Sequence, residues 1–544
     1  NPPVTSKNPR YIPPEGDKCP IEELLPPEVL AYIFEIGTRA EEADESWDVE
    51  EDDGDEDYED LPFPVRMSHV CRRWRRIAIN MPSLWTTLDF AEPRPFEKSR
   101  VWLERSKQAP LNLVIDLSVF DDESDSDTDF QDDGEDRELV KDRQLSLDLN
   151  YILDLIIPHV SRWRTFELSV TLYKHIYLAL KRLEKCPADP GAPLLETFAL
   201  FCHEDSDDFD ADSFVFEEYR EHILPFGGNA PKLIEAGLWG VHIDWKLLIP
   251  LSERSALSSL YSTPTATTNL TDLEFAYHSR DVRPPYEEFI TILRCAPNLT
   301  SLKLSGSGPA PRQHGPAAQS LFLPNLRYLQ LGFLEEDYAC ALLRLFYAPA
   351  LKGICLDFDE GIYNAFIRQL AAPMPLPDPQ PPNFRDSKLS GIPCSAEIPQ
   401  HFYSASPLLK RLYLNMNYLP PEFFSVLTAV PTRTDSTTTQ PVTPLCKYLE
   451  SLTISGISGN ELVAFVKKRK SLGVPIRELN IDETDIVTDE EESWLIANVG
   501  SVEFVEISDD ELVDLEVEDA DEGEGEGGEA GQGQGQGVGE SMDE

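Results

Sequence analysis

APNLTSLKL (296–304) and LPNLRYLQL (323–331) decide the architecture. Both follow one frame, P-x-L-x-x-L-x-L, with apolar residues at Leu299, Leu302 and Leu304, then at Leu326, Leu329 and Leu331. Working outward, the frame recurs downstream in APALKGICL (Leu351, Ile354, Leu356), SPLLKRLYL (Leu409, Leu412, Leu414), CKYLESLTI (Leu449, Leu452, Ile454), PIRELNI (Ile476, Leu479, Ile481) and the weaker SVEFVEI (Val502, Val505, Ile507). Upstream it appears in NLTDLEF (Leu270, Leu273, Phe275), APKLIEAGL (Leu233, Ala236, Leu238), APLLETFAL (Leu195, Phe198, Leu200) and a degenerate RWRTFEL (Trp163, Phe166, Leu168). The anchors Leu270, Leu299, Leu326 and Leu351 are 29, 27 and 25 residues apart. Helical patterns such as PYEEFITILRCAPN and DYACALLRLFYAPA lie between them. The unit is strand, turn, helix. One unit cannot bury its three inward residues alone, so units stack into a curved solenoid around a continuous core.

Several steps are longer, and three of them contain stretches that predict excursions from the solenoid. Leu195 to Leu233 spans the acidic stretch 203–221, Leu351 to Leu409 spans APMPLPDPQPPNF, and Leu409 to Leu449 spans PTRTDSTTTQP. A proline-rich stretch cannot donate ladder hydrogen bonds. The outward residues of each strand form the concave face, a common ligand surface in solenoids. They are Asp272, Glu274, Ser301, Lys303, Tyr328, Gln330, Arg411, Tyr413, Ser451, Thr453, Glu478 and Asn480. Of these, Ser301, Lys303, Tyr328, Gln330, Arg411, Tyr413, Ser451 and Thr453 are the candidate substrate-binding residues.

The chain of 544 residues carries 47 Lys+Arg and 98 Asp+Glu, a formal charge of −51. Residues 41–60 hold 14 acids and no base, 121–138 hold 11 acids and Arg137, 203–221 hold 9 acids and Arg220, and 482–544 hold 24 acids and no base. These stretches sum to 58 acids and 2 bases, or −56, leaving 40 acids and 45 bases, or +5, elsewhere. The polyanion argues against nucleic-acid backbones and anionic membranes as partners. No apolar run approaches the ~20 residues of a membrane span. The first 18 residues, NPPVTSKNPRYIPPEGDK, have no apolar core of a signal peptide and read as an extended leader. Nine scattered cysteines without a CxxC pair exclude the usual zinc and redox spacings and favour a reducing compartment. No metal ligand set, cofactor motif or catalytic residue is assigned. Gly306-Ser307-Gly308 lacks the third glycine of a dinucleotide loop, and Cys295 and Cys446 read as buried structural thiols.

The N-terminal part reads IEELLPPEVLAYIFEIG (21–37), then FPVRMSHVCRRWRRIAIN (63–80) beyond the acidic stretch 41–60. Pro26 and Pro27 start a helix, Val29, Leu30, Ile33 and Phe34 form its apolar stripe, and Gly37 is its expected stop. In the second segment Val70, Cys71, Trp74, Ile77 and Ala78 share one helical face, Arg72, Arg73, Arg75 and Arg76 the other, and Pro82 closes the helix. The arginines are expected to be a solvated face or partners of the acidic stretch.

Leu25-Pro26 with Glu28, Val29, Leu30, Ile33 and Phe34, then Ser68-His69-Val70-Cys71-Arg72-Arg73-Trp74, resembles an F-box. Pro82-Ser83-Leu84-Trp85 is similar to that family's closing residues. The repeat period resembles that of leucine-rich repeats, although the asparagine many of them carry after the frame has one good match, Asn417. The combination resembles the substrate receptors of Skp–cullin–F-box ubiquitin ligases. It implies an α/β fold, a short helical F-box followed by a leucine-rich-repeat solenoid. It also implies that Leu25, Pro26, Val29, Leu30, Ile33, Phe34, Val70, Cys71 and Trp74 bind or support the Skp adaptor. A cullin would join through the adaptor, and the repeats would hold a protein substrate, with no catalytic residue, metal or cofactor in the chain itself. The domain reading is a leader 1–20, an F-box 21–90 with its acidic insertion, a linker 91–160, repeats 161–509 and a disordered acidic tail 510–544. The alternatives are a repeat scaffold with a degenerate F-box and an enzyme with an unrecognised site. A cytoplasmic and/or nuclear location follows. Lys467-Lys468-Arg469-Lys470 resembles a short nuclear localisation signal, against the plainer reading of a solvated convex face.

Overall fold

The structure, a computed structural model, describes residues 25–44, 61–118, 134–204, 214–256, 264–311, 321–358, 361–372, 384–429 and 444–506. The leader, most of the four acidic stretches and the expected tail lie outside these residues. The fold is mixed α/β. Fourteen strands form one parallel sheet in the order β1-β2-β3-β4-β5-β6-β7-β9-β11-β12-β13-β14-β15-β16, and β8 and β10 pair beside it. They are β1 Thr87–Leu88, β2 Leu111–Leu117, β3 Trp163–Val170, β4 Thr197–Cys202, β5 Glu235–Trp239, β6 Asp272–Ala276, β7 Ser301–Ser305, β8 Leu321–Phe322, β9 Tyr328–Gly332, β10 Phe346–Tyr347, β11 Gly353–Asp357, β12 Asp386–Ser390, β13 Arg411–Asn415, β14 Ser451–Ser455, β15 Glu478–Asp482 and β16 Ser501–Val505.

The repeat frames read from the sequence land on this sheet in register except the last, SVEFVEI, where Val502 and Phe504 rather than Val505 and Ile507 continue the inward rows of Leu479 and Ile481; Val505 pairs with Asp482, and Ile507 lies outside the described residues. Leu302 pairs with Leu273 and Leu329, and Leu304 with Phe275 and Leu331. The inward residues Leu299, Leu302, Leu304, Leu326, Leu329 and Leu331 are buried in one continuous core. That is the physical reason for the stack: each strand covers the apolar row of its neighbour. Helices return along the other side, as in Tyr286–Cys295, which buries Phe289, Ile290, Ile292 and Leu293. No described helix is long and apolar enough to cross a membrane.

Two sequence expectations are corrected here. The segment 91–160, expected as a linker, holds helices Glu97–Arg105 and Gly134–Ile156 with β2 between them, and β2 pairs with both β1 and β3. Its strand LNLVIDL alternates and buries Leu111, Leu113 and Ile115. The long step from Leu351 to Leu409 hides a further turn. Phe384, Ser387 and Leu389 occupy its frame, and β12 pairs with β11 and β13. Ser387 at an inward position masks the pattern, although it is as buried as the leucines beside it. The proline-rich part of that step, 373–383, lies outside the described residues.

A separate small core precedes the sheet. Helix α1, Pro27–Asp44, packs with α2, Phe63–Val70, and α3, Arg72–Asn80, around Leu30, Phe34, Ala78, Leu84 and Trp85. Trp85 Nε1 donates to Ala78 O at 2.9 Å, and its ring meets Trp102 edge-on at 5.3 Å. The guanidinium of Arg105 sits over that ring at 4.4 Å, tying the helices to the first turn of the sheet.

Candidate functional site: two interaction surfaces

The α1 helix does not stop at Gly37. Its next turn passes Phe63, whose ring lies where a Cβ at Gly37 would sit, 2.2 Å from the ring's Cζ. Glycine here serves a close helix–helix approach rather than termination, and α1 continues to Asp44. The helix expected across 70–80 is likewise two helices. Cys71 is extended (φ −157°, ψ 171°) and caps α3, its Sγ accepting from Trp74 N at 3.4 Å. That break turns Val70 outward.

The expected adaptor residues therefore divide into two sets. Leu30 and Phe34 are buried, and Trp74 packs on Phe34 with ring centroids 5.1 Å apart. Leu25 is half-buried, and its carbonyl accepts from Arg73 Nη2 at 2.7 Å. These residues, with the Cys71 cap, support the unit. Pro26 is exposed at the start of α1, followed by Val29, Ile33 and Val70 at 42%, 43% and 56% exposure. Tyr32 and Ile36, which the sequence reading passed over, extend this patch at 64% and 50%. Residues 29, 32, 33 and 36 fall at i, i+3, i+4 and i+7, so α1 has one apolar stripe facing its own core and a second facing out. The spacing was visible in the sequence. The buried stripe at 30 and 34 interleaves with it and masks it.

The second surface is the concave face of the sheet. In-register pairing aligns Ser301, Tyr328, Gly353, Asp386, Arg411 and Ser451 in one row, and Lys303, Gln330, Cys355, Lys388, Tyr413 and Thr453 in the next. The candidate residues thus share a face, but not all are exposed. Tyr328, Gln330 and Tyr413 are buried, a correction to their reading as open surface. Strands about 4.8 Å apart bring long inner-face side chains against one another. Tyr328 Oη donates to Gln330 Oε1 at 3.4 Å, Gln330 Nε2 to Ser305 Oγ at 3.3 Å, and Lys388 Nζ lies 4.6 Å over the Tyr413 ring. Arg411 Nε pairs with Asp386 Oδ1 at 2.7 Å. Ser451 and Thr453 are half-buried, and Asn480 Nδ2 donates to Thr453 Oγ1 at 3.2 Å.

Toward the N-terminal turns the same rows open into a cavity of about 360 Å3. Small residues, Ala199 and Gly237, form its floor, Phe201 one wall, and Glu235, Asp272, Glu274, Ser301, Lys303, Arg327 and Tyr328 its polar lining. Lys303 Nζ lies 3.7 Å from Glu274 Oε2. Beside the cavity, burial first and then the Glu235 carboxylate hold the Glu167 carboxyl above its ordinary range. Glycine and alanine at these outward positions were the sequence signal for the opening.

Other features are structural. His278 Nδ1 lies 2.8 Å from Ser307 Oγ, an arrangement reminiscent of a nucleophile and base, but both are buried and His278 Nε2 faces Val241 O at 2.8 Å. Among the described residues no three His, Cys, Asp or Glu side chains converge to hold a metal. Cys295 and Cys446 are buried, and burial pushes their thiols up to about 11 and about 12. In the Lys467–Lys470 run Arg469 is fully buried and donates to Leu427 O, Leu445 O and Cys446 O. The run is part of helix Gly459–Ser471, not an accessible linear signal. Arg72, Arg75 and Arg76 are exposed, while Arg66 pairs with Glu41 at the start of the first acidic stretch. Asn415, the last residue of β13, rather than Asn417 supplies the buried polar residue there, accepting from Ser455 Oγ at 3.1 Å. Compared with known proteins, the chain matches no family model, and no curated protein matches it.

Proposed function

We propose that this chain is the substrate-recognition subunit of a Skp–cullin–F-box ubiquitin ligase, with α1–α3 as the F-box and the solenoid as a leucine-rich-repeat receptor. One observation carries the reading. The outward stripe Val29, Tyr32, Ile33, Ile36 and Val70 is an apolar surface on a unit whose own core is already filled by Leu30, Phe34 and Trp85. Such a patch marks a protein–protein surface, and a helical partner laid against it buries residues at i, i+3, i+4 and i+7 spacing. The resemblance of Leu25–Phe34 and Ser68–Trp74 to an F-box supports the Skp adaptor as that partner. The concave face and its cavity then hold the substrate. Catalysis is proximity: the receptor raises the local concentration of substrate beside a conjugating enzyme brought by the cullin, and no residue of this chain enters the chemistry. Such a subunit works in the cytoplasm or nucleus.

The test is an affinity capture from cell extract with full-length chain. Ile33→Asp with Val70→Asp changes two exposed side chains and leaves the core intact, so the variant folds as the wild type does by circular dichroism. Wild type recovers a Skp adaptor and a cullin, and the double variant loses both. Equal recovery by the two proteins removes the reading.

A further inference from the structure

The stack of strands ends at β16, Ser501–Val505, which pairs with β15 on one side only. Ser501 N donates to Arg477 O at 2.9 Å, and Val505 O accepts from Glu483 N at 3.1 Å. In a strand the peptide groups of successive residues face opposite edges, so Ser501, Glu503 and Val505 bond toward β15. The N–H and C=O of Val502 and Phe504 face the other edge, where no described strand lies. The side chains at this end are also short of cover. Leu452 and Ile454 on β14, then Leu479 and Ile481 on β15, are fully buried in the two inward rows. Val502 and Phe504 come next in those rows and are only half-buried. The strand carries neither lysine nor proline, residues that keep an open edge from pairing. A solenoid needs its last turn capped.

The described residues stop at Glu506, and the sequence continues ISDDELVDLEVE (507–518). Val513, Leu515 and Val517 alternate with Asp514, Glu516 and Glu518, the period of a half-buried strand. Only seven residues, 506–512, separate Val505 from Val513. A parallel neighbour needs a crossover of about a dozen residues or more, so a strand here returns antiparallel, as a hairpin. Ser508-Asp509-Asp510-Glu511 suits a four-residue loop built around a type I turn. That loop fixes the register. It sets Phe504 opposite Leu515 and Val502 opposite Val517, apolar pairs on the inward face, at the two positions whose peptide groups face the open edge. Ile507 opposite Leu512 closes the turn. A slip of one residue in either direction puts acids against the core, Asp514 and Glu516 or Glu516 and Glu518.

We propose that the open edge of β16 is a strand-addition site, and that its occupant is the chain's own segment 512–518, paired antiparallel as the closing strand of the solenoid. The short tether makes the pairing intramolecular. The closing strand covers Val502 and Phe504 and withdraws the edge from a second copy of the chain and from other extended peptides. Backbone groups and apolar rows carry this assignment, and no residue of the adaptor reading enters it.

Hydrogen exchange of the full-length chain, resolved by residue through electron-transfer fragmentation and mass spectrometry, tests it. The amides of Val502 and Phe504 exchange slowly in the wild type. Leu515→Pro removes the N–H that bonds Phe504 O, and this protection is lost. Asp514→Pro removes an N–H that faces solvent, and the protection stays. Both substitutions lie outside the scaffold, and unchanged amides of β9 confirm that it is intact. Fast exchange at Val502 and Phe504 in the wild type, or protection that survives Leu515→Pro, overturns the proposal. Cysteine pairs check the register. Glu503→Cys with Glu516→Cys sets Cα atoms about 4.5 Å apart on one face, within reach of a disulfide. Glu503→Cys with Val517→Cys sets the two thiols on opposite faces. Under mild oxidation the first pair closes within one molecule and the second does not. Equal closure of the two pairs makes the segment a loose tether and overturns the pairing. Disulfides joining light to heavy isotope-labelled chains make a second copy the occupant and overturn it as well.

Discussion

Arg469 carries its charge into the interior, where no carboxylate among the described residues meets it. Its Nη1 donates to Leu427 O and Leu445 O at 3.1 Å, and its Nη2 to Cys446 O at 2.9 Å, so one guanidinium fastens both ends of the long connection between β13 and β14. Arg469→Met leaves those carbonyls without a donor, and the urea midpoint is expected to fall by the equivalent of about 3 kcal/mol. The adjacent, exposed Lys468→Ala should stay within about 0.5 kcal/mol of wild type. The buried histidines give a pH prediction. Val241 O can only accept, so His278 holds its proton on Nε2 and its Nδ1 accepts from Ser307, a neutral ring. Burial, with Arg283 and His222 adding to it, lowers His278 to about 4, although its bond to Val241 O acts the other way. Burial, then His222 and His278, lowers His242 to about 3 against opposing bonds to Arg220 and Tyr219, beside Tyr173 Oη at 2.9 Å. Both folded values lie below the ordinary ~6.5 of a free histidine, so between about 6.5 and 4 the unfolded chain binds more protons. Stability from these sites is complete above that window and is lost as pH falls through it. Urea unfolding from pH 7.5 to 4.5 should show His242→Phe losing less stability than wild type over the same range; an equal loss in both rules His242 out as a contributor.

At the scale of elements, α1 shows what a sequence discloses and what it hides. Its start at Pro27 and its buried pair Leu30 and Phe34 follow from spacing and from proline at the first turn. Its end does not, because Gly37 is used for the Phe63 ring, and a contact with a residue 26 positions away leaves no local trace. The same limit explains β12. An inward Ser387 breaks the apolar pattern, and only the pairing partners on β11 and β13 reveal the strand. By contrast the regular turns β6, β7, β9 and β11 are legible outright, because each places leucine, isoleucine or phenylalanine at the inward positions that the core demands. The concave candidates were legible as a row, but the burial of Gln330 and Tyr413 depends on neighbours one strand away and was not. Between helices and sheet the joint is Trp85, held by Ala78 O, the Trp102 edge and the Arg105 guanidinium. Trp85→Ala removes a fully buried ring, a loss of about 3–5 kcal/mol at such a site. Hydrogen exchange should rise across α1–α3 while amides of β4–β15 keep their protection. Uniform exchange across the whole chain would mean that Trp85 is not a local joint.

The molecule as a whole is quasi-one-dimensional: each strand of the main sheet bonds only to its neighbours in the stack, and the core runs unbroken from Leu88 to Val499. Charge does not organise this stack, since 56 of the net negative charges fall in four stretches of sequence and the remainder sums to +5. Apolar rows and backbone ladders do. In such an array cooperativity rests on the nearest-neighbour interfaces, and one damaged interface can divide the unfolding transition. The sharpest place to test this is Gly391, directly after β12. It has φ +54°, a left-handed conformation that costs little for glycine alone. A Cβ added there would lie 1.6 Å from Phe358 O, a backbone atom in the turn after β11. Backbone cannot yield as a side-chain tip does, so Gly391→Ala must separate β11 from β12 at that end. Gly473 is the control, also at positive φ (+77°) but with open space where its Cβ would sit. Gly391→Ala is expected to split urea unfolding into two steps, with 384–506 exchanging amide hydrogens before 163–357. Gly473→Ala bears only the backbone strain, about 1 kcal/mol, and keeps a single transition. A single transition in both variants would show that cooperativity spans the stack and is not set turn by turn.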